Sequence, residues 1–185
     1  QSETSLGGLL ALCLAAAIPI AAAHAESAGP FELSQEFVTE HKGKSLVGPS
    51  VQVDEQGQVS LAWMEEEKDV RSVLYARSAE AGGPMGVPVR INRPEDVPYW
   101  RQEAPALVVQ GADVFVTWGL AHPKATPQQP FATELRLSRS IDGGKTFQPS
   151  VAVNDDPGVI QHTFDALHRD ADGRLHLSWI DGREG

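Results

Sequence analysis

Apolar and polar residues alternate with a period of two in three stretches that end alike: Gly57-Gln-Val-Ser-Leu-Ala-Trp63, Gly111-Ala-Asp-Val-Phe-Val-Thr-Trp118 and Gly173-Arg-Leu-His-Leu-Ser-Trp179. Strict alternation buries one face of an extended chain, so each stretch is predicted to be a strand that starts after a turn at its glycine. The tryptophans recur at 55 residues (Trp63 to Trp118) and 61 residues (Trp118 to Trp179), which makes the pattern a repeat.

The similarity extends outwards. Pro49-Ser50-Val51, Pro105-Ala106-Leu107 and Asp165-Ala166-Leu167 stand 13 or 14 residues before their Trp and predict the first strand of each hairpin. A third strand is predicted at Val73-Leu-Tyr-Ala-Arg-Ser78 and Leu135-Arg-Leu-Ser-Arg-Ser140, and a fourth ends at Asn92 and Asn154. Four short antiparallel strands repeated in this way predict an all-β chain of β-propeller blades, with approximate bounds 48–103, 104–163 and 164–185.

One turn carries a motif. Ser140-Ile-Asp142-Gly-Gly144-Lys-Thr146-Phe147 separates the third and fourth strands of the second unit, and Ser78-Ala-Glu80-Ala-Gly82 is a decayed copy in the first. Ser and Asp oxygens can accept backbone N–H groups across such a turn, a glycine permits positive φ, and the aromatic residue packs back between strands. The string resembles the Asp-box, or bacterial neuraminidase repeat, of the sialidase-like propellers, with Ser140, Asp142, Gly144, Thr146 and Phe147 in the five defining positions. The resemblance covers roughly residues 48–185. It implies a six-bladed ring, of which this chain holds about two and a half blades, so the sequence is expected to be the N-terminal part of a longer protein. It further implies that Asp142 is structural, since this turn lies on the face away from a sialidase's catalytic pocket.

Ahead of the repeats, Leu9 to Ala23 is an almost uninterrupted apolar run followed by Ala23-His24-Ala25, a small-x-small cleavage pattern. Residues 1–25 are predicted to be a signal peptide, which implies export to the periplasm, cell surface or medium and leaves no membrane span after cleavage. Residues 26–47 follow as an N-terminal segment, and Phe31 to Thr39 within it is the candidate for a ring-closing outer strand. The single cysteine, Cys13, falls in the leader, so the mature chain has no disulfide and no thiol nucleophile. A net charge of −10 disfavours a phosphate backbone, and nucleic acid is excluded as partner.

In propellers of this kind ligands bind at the loops that enter the inner strands and join second to third strands, here 93–103, 155–163, 64–69, 119–133 and 181–184. These loops hold the candidate ligand-facing residues Arg101, His122, His162, Asp181 and Arg183, beside Tyr99 and Trp100. Guanidinium forks match carboxylates. The sialidase resemblance implies an arginine cluster for an acidic sugar, an Asp acid/base and a Tyr nucleophile activated by a Glu. That set is not present: the string nearest to the family's Arg-Ile-Pro motif is Arg90-Ile-Asn92, at the end of a fourth strand. His168 and His176 fall within strands, Glu65-Glu66-Glu67 reads as a solvated loop tip, and Asp155-Asp156 is a candidate for calcium. No metal or cofactor is assigned. Two functions stay open: a glycoside hydrolase of sialic acid-type glycans when complete, or a non-catalytic propeller presenting its loop face to a protein or glycan. The isolated 185-residue chain is expected to be inactive as a hydrolase.

Overall fold

Two sheets of four antiparallel strands follow one another along the chain, and a hairpin comes third. The structure, a computed structural model, describes residues 43–183 apart from 100–102 and 157. The predicted signal peptide, the 31–39 strand and Arg101 lie outside the described residues. The first sheet runs β1 (Ser45–Val53), β2 (Val59–Glu67), β3 (Val70–Arg77), β4 (Val89–Arg90) in that spatial order. The second runs β5 (Ala106–Gln110), β6 (Asp113–Ala121), β7 (Thr133–Ser140), β8 (Val151–Ala152), and β9 (His162–Arg169) pairs with β10 (Leu175–Asp181). The chain is all-β and these sheets are propeller blades. β1 starts at Ser45, three residues before the expected boundary at 48. No helix among the described residues is long and apolar enough to cross a membrane.

The outer strands β4 and β8 are only two residues long, because an asparagine side chain takes over their pairing. Asn92 Oδ1 accepts the Val73 N–H at 2.8 Å, and Asn154 Oδ1 accepts the Leu135 N–H at 2.9 Å. The repeat thus conserves a hydrogen bond where it drops a strand residue.

Antiparallel pairing sorts the connections into two ends. Hairpin turns 54–58, 111–112 and 170–174 and the 78–88 and 141–150 turns lie at one end, and 68–69, 91–105, 122–132, 153–161 and the residues after Asp181 lie at the other. At the first end the Ser140–Phe147 turn is closed by its own side chains. Ser140 Oγ accepts the Gly144 N–H at 2.9 Å, and Asp142 accepts the Thr146 N–H at 2.9 Å and hydroxyl at 2.6 Å. Thr146 and the other donors hold the Asp142 carboxyl far below the usual carboxylate range. Gly144, at φ +88°, lies so close to Tyr75 of the first sheet that an added Cβ would fall 1.9 Å from the ring. Phe147 meets the same ring edge-on at 5.5 Å between centroids.

Those contacts belong to an apolar seam between the first two sheets. Ala62, Met64, Val73, Tyr75 and Ile91 from one side meet Leu107, Val114, Val116 and Trp118 from the other, all buried. Trp118 is 1% exposed, a core residue and not a sugar platform.

A polar seam at the loop end as candidate functional site

The opposite face of the second sheet is built differently. In β6, Val114, Val116 and Trp118 point into the apolar seam, so Phe115, Thr117 and Gly119 face the third sheet. At the hairpin end of this second seam, Arg139 and Arg169 both bond Asp113 (2.6 Å and 3.3 Å), with their guanidinium carbons 5.3 Å and 5.5 Å from the centre of the Phe115 ring. Towards the loop end the groups become acidic.

Asp165 of β9 accepts a hydrogen bond from the Thr117 hydroxyl of β6. Glu103, on the segment that leads into β5, is 7% exposed, and its Oε2 is buried with no hydrogen-bond partner among the described residues. That carboxyl borders Gly119: Glu103 Oε2, Tyr99 Cβ and Thr133 Cγ2 all lie within 4.0 Å of the point where a Cβ would stand, at ordinary contact distances. Burial pushes the Glu103 carboxyl up to about 7, the Asp165 charge adds to that, and the Phe164 N–H bond opposes it. Asp165 is raised as well, by burial, with the Thr117 hydroxyl and a backbone N–H opposing.

A β-bulge sets this arrangement. Thr163 pairs with Ile180 and Ala166 with Ser178, so Phe164 and Asp165 together stand opposite the single residue Trp179. Phe164 adopts φ +54°, a region that side chains other than glycine's rarely enter, and its own ring is 62% exposed. β1 carries the same irregularity between Val47 and Ser50, and there the positive φ falls on Gly48 (+55°).

Above the acid pair, His162 at the start of β9 joins the second and third sheets. It is fully buried. Its N–H donates to Thr133 Oγ1 at 2.8 Å, and the Thr133 hydroxyl bonds the His162 carbonyl at 2.5 Å. Nδ1 lies 2.7 Å from the Thr133 carbonyl oxygen, and Nε2 lies 2.7 Å from Asp156 Oδ2 and 3.7 Å from Asp181 Oδ2. Both ring nitrogens are within hydrogen-bond distance of oxygens, which fixes the ring in the seam between the second and third sheets. Arg183 extends this cluster outwards: it is half exposed, bonds Asp181 at 2.8 Å and approaches Asp155 at 3.5 Å. The Arg183 bond holds the Asp181 carboxyl below its ordinary range. For Asp156, burial is opposed and outweighed by the Gly158 N–H and the His162 ring, so it too is lowered.

Asp156, His162 and Asp181 offer ligand atoms within 4.8 Å of one another, close enough to share a cation. The 2.7 Å between Nε2 and Oδ2 is a hydrogen-bond length, and Arg183 forms an ion pair with Asp181. Asp155, the other half of the calcium candidate, is 80% exposed and faces Arg183.

Of the sequence candidates, His162, Asp181 and Arg183 come together. His122 stands apart on the 122–132 loop, half-buried, with Nδ1 accepting the Lys124 N–H at 3.1 Å. Sequence reasoning missed Glu103 and Asp165. A signal was present: Asp165 occupies the repeat position held by Pro49 and Pro105, and Gly119 that of Met64, so an acid and a glycine stand where the repeat elsewhere has apolar side chains.

No family model matches the chain, and no curated protein does. Among solved structures it is similar to CoXyl43, a GH43 β-xylosidase/α-arabinofuranosidase from a compost microbial metagenome in complex with xylotriose (14% identity, TM-score 0.46, 71% of this chain and 41% of that one). It is also similar to an α-L-arabinofuranosidase from Lactobacillus brevis (15%, 0.48, 74% and 45%) and to a glycoside hydrolase (10%, 0.40, 74% and 47%). The chain spans less than half the length of each of these proteins.

Proposed function

We propose that this chain is part of an exported, glycan-active β-propeller whose ligand face is the loop end of the second and third sheets, and that the activity it suits is hydrolysis of an acidic glycan. One observation carries the reading. Arg183 is held half exposed by Asp181 and Asp155 on a cluster anchored by the buried His162, so its guanidinium is set in place before any ligand arrives. A prepositioned fork suits the carboxylate of an acidic sugar and loses little freedom on binding it. The Ser140–Phe147 string, like that of sialidases, supports the same direction, and the apolar run of residues 9–23 supports export.

The alternative is a non-catalytic propeller that presents this face to a glycan or protein. The complete enclosure of His162 favours it, since that ring can hold the cluster together but cannot reach a substrate.

Titrating the protein with sialylated and uronic oligosaccharides and with neutral ones tests the reading. The acidic ligands are expected to bind, and Arg183→Ala to weaken them about tenfold or more, the scale of one charge-assisted hydrogen bond. Equal binding of neutral and acidic glycans, or none, would overturn it.

A further inference from the structure

Donors and acceptors do not match around His162. Nδ1 lies 2.7 Å from the Thr133 carbonyl oxygen, which can only accept, so this nitrogen carries the proton of the neutral ring. Nε2 then presents a lone pair, and it points at Asp156 Oδ2 (2.7 Å) and Asp181 Oδ2 (3.7 Å), which are acceptors too. The shorter contact has hydrogen-bond length, yet a neutral ring has no second hydrogen to place in it. Three electron-pair donors converge in the seam.

The surroundings fix this convergence. The ring is fully buried, and the His162 N–H and carbonyl are both tied to the Thr133 hydroxyl, so Nε2 is held towards the carboxylates and away from water. Charge states the same need. Asp155, Asp156 and Asp181 carry three negative charges against one positive charge on Arg183, and a divalent cation closes the difference. Asp181 Oδ2 accepts the Arg183 bond at 2.8 Å and has a second lone pair for the ring side.

We propose that Asp156 Oδ2, His162 Nε2 and Asp181 Oδ2 bind a divalent transition ion of the zinc class, which staples the second sheet to the third. Zinc bonds of about 2.0–2.2 Å put neighbouring ligand atoms of a tetrahedron about 3.3 Å apart. The distances of 2.7 and 3.7 Å from Nε2 stand on either side of that value, and the three atoms lie within 4.8 Å of one another. A ring N–H bonded to a backbone carbonyl, as at Nδ1, is what orients a metal-ligating histidine. One imidazole with two carboxylates suits a transition ion and not Ca2+, which takes six to eight oxygens. Asp156 comes from the loop that leaves β8, and His162 and Asp181 from the paired ends of β9 and β10, so the ion ties that loop to the third sheet beneath Arg183. Three protein ligands leave the fourth tetrahedral position to water. The site stands independently of the glycan reading.

The test is calorimetric titration of the tag-free, chelator-treated full chain with Zn2+ alone and with Ca2+ alone, alongside thermal melts. One Zn2+ per chain is expected, with a melting temperature that rises with Zn2+ concentration, and Ca2+ is expected to bind about 100-fold more weakly or less. Asp156→Asn and His162→Gln should each weaken Zn2+ about tenfold or more, whereas His176→Ala, whose ring bonds Asp170 at the far end of the hairpin, should leave it unchanged. With Co2+ as the probe, the visible absorption of a tetrahedral ion is expected in wild type and lost in His162→Gln. The Asp156 carboxyl reaches the surface, so Asp156→Asn decides the matter if His162→Gln does not fold. No Zn2+ binding by the wild-type chain overturns the site, as does Zn2+ binding that Asp156→Asn leaves undiminished. A preference for Ca2+ over Zn2+ overturns the assignment of the ion.

Discussion

The two seams of the second sheet start from one repeat and end in opposite chemistry. On the first, Ala62 and Met64 flank the Trp63 position and pack in one apolar cluster with Tyr75, Val116 and Trp118. On the second, Thr117 and Gly119 flank Trp118; the Thr117 hydroxyl bonds Asp165, and the Glu103 carboxyl packs beside Gly119. Backbone strain follows the same division: the bulge places positive φ on Gly48 in the first sheet and on Phe164 in the third. A repeat that needed only to stack its blades would use the apolar solution twice. The second seam instead carries two acids where the first carries apolar side chains.

The comparison breaks most visibly on the apolar side. Trp118 is 1% exposed at the centre of its cluster, so Trp118→Ala removes a large buried side chain and leaves a cavity that the paired strands cannot collapse around. The expected loss is about 3–5 kcal/mol in chemical denaturation. A loss under about 1 kcal/mol would show that the first seam does not carry the fold.

The polar side should respond in the opposite sense. The Glu103 carboxyl sits at about 7, above the ordinary 4.5, chiefly through burial, so the native state holds its proton more tightly than the unfolded chain does. The stability linked to that proton is therefore fully present below pH 4.5 and lost as pH rises through 7. Glu103→Gln removes the ionisation, and at pH 8 the variant should be more stable than wild type by up to about 3 kcal/mol, with the difference shrinking towards zero near pH 4. Urea midpoints at the two pH values measure this. A variant that is less stable at pH 8 would mean that ionised Glu103 is already well satisfied.

How far the sequence led differs between the two seams for a physical reason. Alternation and the recurring tryptophans made the strands legible, because burial of one face imposes a period of two whatever the function. The turn from Ser140 to Phe147 was legible because its bonds span only a few residues: Ser140 to Gly144 and Asp142 to Thr146. His162, Asp181 and Arg183 could be found as polar residues on loops due to share one end of the sheets. Glu103 and Asp165 are 62 positions apart, and neither belongs to a local motif. What joins them is the seam and the bulge, and periodicity does not report which face of which sheet they meet on. Setting the three repeats side by side, residue against residue, was the one route to them. Asp165 beneath Pro49 and Pro105, and Gly119 beneath Met64, mark the departure.

The bulge itself offers the finest test of the contrast. A glycine in the middle of a strand ordinarily weakens it, through lost side-chain packing and a more flexible unfolded chain. At Phe164 both terms are small or reversed: the ring is 62% exposed, so little burial is lost, and φ of +54° is strained for phenylalanine and free for glycine. Phe164→Gly should therefore stabilise the chain by roughly 0.5–1 kcal/mol, where the same change at a regular strand position would destabilise it by a similar amount. Thermal midpoints of Phe164→Gly and Phe164→Ala separate the contributions, since alanine loses the ring but keeps the strain. Stabilisation by glycine and not by alanine would locate the strain in the backbone of the third sheet, at the position where the first sheet already has Gly48. If both variants lose stability alike, the Phe164 ring has a packing role and the two bulges are equivalent after all.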